Sequence, residues 1–141
     1  MPKIYRTMKK DDDGKPTVDA PGRGLGVRVE PANVADVDLS EEGFVILNGK
    51  GMSVAPSWRA LPPWLISIRL KDKFPIARGA TNLFCFTMGE GPFENGPVSD
   101  DLDLLVEKPT HGLVAPREFV PLAQFLSDLS RTRDHWIIDE I

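Results

Sequence analysis

The sequence predicts a single α+β domain of short, mostly antiparallel strands closed by one amphipathic helix. Two observations carry this. The 141 residues include 13 prolines and 12 glycines, so the chain is punctuated too often for long helices. Apolar residues fall instead into short runs between turn-rich stretches, and only one segment, near the C-terminal end, has helical spacing. The length fits one domain large enough to bury a core.

Taken in order, Ile4–Met8 reads as a first strand, followed by the charged turn Lys9–Gly14. Gly22-Arg-Gly-Leu-Gly26 leads into Val27-Arg28-Val29, a short alternating strand, and residues 30–40 have room for one helical turn. Phe44–Leu47 reads as a strand that runs into a glycine turn, Asn48-Gly-Lys-Gly-Met-Ser53. Pro56–Pro63 is a loop carrying Trp58. Trp64–Leu70 is strand-like, with a one-turn helix at its start as the alternative. Leu83–Thr87 is an apolar, aromatic strand, and Gly89–Pro97 a turn-rich loop. Leu102–Val106 and Gly112–Ala115 are further strands. The helix begins near Val120 with Pro121 in its first turn. Leu122, Phe125, Leu126 and Leu129 form its apolar stripe, and it ends near residues 131–134. Trp136–Ile138 is a last strand or docking segment.

Composition excludes several classes. Hydrophobic residues make up 41% and charged residues 27%, an ordinary balance for a soluble domain. The formal charge of −4 makes general nucleic-acid binding unfavourable, because phosphate contacts need a basic surface. One cysteine, Cys85, rules out an internal disulfide or a CxxC zinc site, and its apolar flanks mark it as a core thiol. The polar N-terminus and the lack of a long apolar run predict no signal peptide and no membrane span. A cytoplasmic site of action follows.

Several familiar signatures fail. Gly22-Arg-Gly-Leu-Gly26 precedes a strand rather than joining strand to helix, so it is no dinucleotide fingerprint. In Gly49-Lys50-Gly51 the lysine lies between the glycines, which is not the phosphate-loop order. There is no GxSxG elbow. Asp11–Asp13 and Asp100–Asp103 lack calcium-loop spacing and read as solvated turns. His135 reads as a surface or packing residue. Trp58, Trp64 and Trp136 fit either a small core or a binding surface. What remains is the glycine turn with Ser53, the Tyr5-Arg6 pair on the first strand, and His111 at the mouth of a strand. Arg6 fits a solvent-facing scaffold residue or a planar fork for a phosphate or carboxylate. His111 fits a hydrogen-bonded structural residue or a site residue.

Three segments in order carry a family resemblance: Ile4-Tyr5-Arg6; Gly49-Lys-Gly-Met-Ser53-Val54; and residues 96–102 through Thr110-His111-Gly-Leu-Val-Ala-Pro116 to the last helix and Trp136. Together they resemble the ADP-ribosyltransferase-like toxins of bacterial type VI secretion. The resemblance implies two facing, mostly antiparallel sheets with a C-terminal helix and a cleft for NAD, used as substrate. It also implies transferase or NAD glycohydrolase activity, and a cognate immunity protein or antitoxin that caps the cleft. By the same resemblance Arg6, Ser53 and His111 are the catalytic set, with Tyr5, Gly51 and Met52 at the cofactor. The family's Glu-x-Glu or Gln-x-Glu pair is absent, leaving Glu90, Glu107 and Glu118 as substitutes without a pattern. The rival reading is a non-catalytic protein-interaction module, which predicts that Arg6, Ser53 and His111 lie far apart.

Overall fold

A computed structural model describes residues 1–18 and 22–141. The elements are β1 (Ile4–Met8), β2 (Met52–Val54), β3 (Phe84–Met88), β4 (Gly96–Pro97), β5 (Leu102–Lys108), β6 (His111–Pro116), α1 (Leu122–Ser130) and β7 (Ile137–Ile138). They form two antiparallel sheets, one ordered β1-β3-β7 and the other β2-β6-β5-β4. The α+β class with two antiparallel sheets and one C-terminal helix is as expected.

Strand alternation explains how the sheets are buried. Ile4 and Met8 of β1 and Phe86 and Met88 of β3 point into the main core. There they meet Met52 and Val54 of β2, Leu102 and Leu104 of β5, Val114 of β6, and Phe125 and Leu129 of α1. Tyr5 and Cys85, on the opposite face of the first sheet, pack into a second cluster with Trp58, Leu61, Ile66 and Leu70. The first sheet is therefore covered on both sides, which is why β1 is buried at every position. Burial pushes the Cys85 thiol up to about 12, so it is an inert core group at neutral pH. Trp136 is fully buried and donates from its indole nitrogen to Thr132.

Three expected strands do not form, each for a hydrogen-bonding reason. Val27–Val29 has no strand partner among the described residues. The Arg28 amide donates to the Asp36 carboxylate and its carbonyl accepts from the Asp36 amide, both at 2.6 Å. Phe44–Leu47 makes only isolated bridges. The Val45 amide goes to Val120 and the Ile46 amide to Asp38, so no single ladder can extend. Trp64–Leu70 folds as two 3-10 turns, Pro63–Leu65 and Ile68–Leu70, with Ser67 accepting from the Arg69 amide between them. Pro62-Pro63 favours that opening turn, because each proline fixes φ near the helical value. Conversely β2, only three residues long, follows a glycine turn that gave no strand signal of its own. Pro121 caps α1 from outside its first turn.

Candidate functional site

The site lies where the two sheets join. Tyr5 and Ala55 exchange backbone hydrogen bonds at 2.8 and 2.9 Å, bringing the edge of β1 against the chain leaving β2. Arg6, on the core-facing side of β1, reaches the open edge of β2 and donates from Nη1 to the Ser53 carbonyl at 2.8 Å. Its Nε donates to the Gly24 carbonyl at 3.1 Å. The guanidinium is thus fixed by two backbone acceptors, and arginine has five N–H donors in a planar fork. Among the described residues no carboxylate forms an ion pair with it. Burial pushes the Arg6 pKa down to about 10, with nearby Asp36 partly opposing the shift, so the group stays cationic at neutral pH.

Ser53 lies between Met52 and Val54, both of which face the core, so its own side chain faces the other way. Ser53 pairs with Leu113 on β6, and His111 lies two residues from Leu113 on the same face. The result is one cavity of about 240 Å³ whose walls include Arg6, Ser53, Trp64, Thr110 and His111. The three residues the sequence singled out as catalytic therefore meet in one place. Trp64 is 55% exposed at its rim. Its loop is anchored by the Thr7 hydroxyl, which donates to the Leu65 carbonyl at 2.6 Å. Arg78 sits 5.8 Å from the Trp64 ring centre.

Two shallower depressions adjoin this cavity. One, of about 330 Å³, shares Ser53 and runs past Asp36, Lys50 and Glu107. The other, of about 280 Å³, shares Thr110 and His111 and is also bordered by Glu107. Small-molecule sites usually span roughly 300–1,000 Å³, so the main cavity is small for a whole ligand and reaches that range only together with the depressions beside it.

The expected cofactor contacts are placed differently. Met52 is 1% exposed and belongs to the core. Tyr5 packs in the second cluster, and its hydroxyl donates to Asp139 at 2.9 Å. Neither lines the cavity. Gly51 touches only the larger depression, and the fold itself explains the glycine there. A Cβ at Gly51 would come within 2.3 Å of the Val114 carbonyl, so glycine lets β2 lie close to β6. Gly49 has φ +82°, the left-handed turn conformation glycine favours. The turn shapes the site without needing a ligand to explain it.

Sequence reasoning left Trp64 open between core and surface, and offered Glu107 only as one of three substitutes for the absent Glu pair, without its pairing to His111. Trp64 had no feature separating it from Trp58, which is 2% exposed, or from Trp136, which is 1% exposed. Glu107 had a usable signal: it and His111 flank Lys108-Pro-Thr110 in a tight β5–β6 connection, so their side chains are brought together. Among the described residues no cluster of ligating side chains could hold a metal ion, and no helix is long and apolar enough to cross a membrane. No protein-family model matches the chain, and no curated protein or solved structure matches it.

Proposed function

We propose that this domain binds NAD at the Arg6 cavity and breaks its nicotinamide–ribose bond, acting as a toxin on an ADP-ribosyltransferase-like fold. The observation that carries the reading is the convergence of Arg6, Ser53 and His111 on one cavity. The interaction-module alternative predicts that they lie apart. The chemistry fits part by part. Among the described residues Arg6 is hydrogen-bonded to carbonyls alone and feels only the more distant Asp36 as a counter-charge, and an anionic phosphate would add a direct one. Trp64 offers a ring face to a flat heterocycle. Ser53 and Thr110 offer hydroxyls to a ribose. Breaking the bond passes through an oxocarbenium-like state, for which fixed orientation and electrostatics are the main aids.

A toxin of this kind, delivered by a type VI secretion effector route into the cytoplasm of a target cell, requires a cognate immunity protein. The surface beside the cavity suits one. Residues 59–78 carry Arg59, Lys71, Lys73 and Arg78 against the single carboxylate Asp72, Arg69 being paired with Glu140, in a chain of net charge −4. Trp64, Ile68 and Ile76 are exposed in the same stretch. An acidic, partly apolar partner surface complements it.

The test is expression of the chain in the bacterial cytoplasm, together with calorimetry against NAD. The expected result is growth arrest by the native chain, survival with Arg6→Ala or Ser53→Ala, and NAD binding abolished by Arg6→Ala. A harmless native chain that does not bind NAD overturns the proposal.

A further inference from the structure

Glu107 and His111 meet across the β5–β6 connection, and the hairpin register explains how. Val106 opposes Gly112 and Lys108 opposes His111, so Glu107 is an extra residue bulged out of the ladder. A bulge bends its strand and re-aims the side chain it frees. Here the freed carboxylate lies 2.8 Å from His111 Nδ1. An imidazole that donates at Nδ1 carries its lone pair at Nε2, the nitrogen left for a ligand. His111 lines the Arg6 cavity, while Glu107 borders both adjoining depressions. The His111 side chain is 33% exposed and that of Glu107 56%, so water reaches the pair from outside.

We infer that His111 is the general base of this site, that Glu107 is its positioning residue, and that the ADP-ribosyl acceptor is water. This rests on the reading of the cavity as an NAD site. The bond between ribose C1′ and the nicotinamide nitrogen breaks, and its electron pair leaves with neutral nicotinamide. A water oxygen bonds to C1′ and gives its proton to His111 Nε2. The Glu107 carboxylate holds the resulting imidazolium until the proton passes to solvent at the exposed edge. The products are ADP-ribose, nicotinamide and one proton, with no redox partner required. Access favours water as acceptor: His111 borders the open depression as well as the cavity and is 33% exposed, so solvent reaches the dyad without any further substrate having to be recognised. The charged groups facing the dyad are Arg6 from β1, Lys108 from β5, and Lys50 and Asp36 across the larger depression.

The experiment follows NAD cleavage by the full chain, separating free ADP-ribose from protein-bound ADP-ribose, with NAD calorimetry alongside. The native chain should release free ADP-ribose. His111→Ala and His111→Asn should each lower kcat by roughly 10²–10⁴-fold while keeping the native melting temperature. Glu107→Gln should lower kcat about tenfold with KM unchanged, less than the ~10⁴-fold seen for a buried triad aspartate. A purely structural Glu107 would lower the melting temperature or raise KM rather than lower kcat alone. His135→Ala should change nothing. Native cleavage by both His111 variants, or ADP-ribose found only on proteins, overturns the dyad and leaves the NAD site standing. Absence of NAD binding overturns both.

Discussion

Arg6 and Arg133 are both held by several acceptors, but of opposite kinds. Arg133 donates to the Asp13 carboxylate at 2.7 and 2.8 Å, to Asp11 at 3.0 Å and to the Pro16 carbonyl at 2.9 Å. Its charge is answered from within the chain, and its pKa is raised, chiefly by the hydrogen bond to Asp13. Arg6 is more deeply buried yet among the described residues is hydrogen-bonded only to the Gly24 and Ser53 carbonyls, and burial pulls its pKa down. A cation neutralised by its own carboxylates has a structural role and little left to offer. One buried among dipoles keeps an electrostatic demand that an incoming anion can meet.

The contrast breaks first at Arg6. Arg6→Ala should weaken NAD binding by roughly 100-fold or more, about 2.7 kcal/mol, while Arg133→Ala leaves the isotherm unchanged. Equal losses in both variants would erase the distinction. Arg6→Lys keeps the charge but cannot serve two carbonyls and a ligand from one planar fork, so a loss of roughly 30-fold is expected by the same calorimetry. Trp64→Ala should cost about tenfold, within the range of one ring stacked on a base. Its melting temperature should be unaltered, since the side chain is already half in solvent.

The smallest effect belongs to Arg133. Hydrogen bonding from Arg133 holds the Asp13 carboxyl below its ordinary value. Its folded pKa lies below the unfolded one, so the stabilisation is present above the ordinary carboxylate range and is lost as pH falls through it. Melting temperatures of the native chain should therefore drop more steeply below about pH 4 than those of Arg133→Ala, and salt should shrink the difference. Parallel curves would assign this cluster no stabilising role.

The sequence made the long-range frame readable where a segment's apolar pattern matched one partner. Ile4–Met8 alternates between two apolar clusters, and Phe125 and Leu129 fall on one helical face, so β1 and α1 were legible. Phe44–Leu47 was equally apolar, but its amides go to separate partners that no local pattern encodes. The site followed the same division. Arg6, Ser53 and His111 stood out through their neighbours in sequence. Glu107 depends on a one-residue bulge, and Trp64 on a loop anchored through Leu65 to Thr7, 58 positions before it. Gly51 was conspicuous for a different reason than expected, since it answers to the Val114 carbonyl and not to a ligand.

The hydrogen bond from Tyr5 to Asp139 joins residues 134 positions apart, and β7 completes the sheet that carries Arg6. On a ribosome the first strand emerges long before its last neighbour has been made. Contacts of such separation form late, because closing the loop must precede the reward of the contact. The sheet that carries Arg6 therefore stays incomplete until Ile137–Ile138 have been made and docked beside β3, well over a hundred residues after β1.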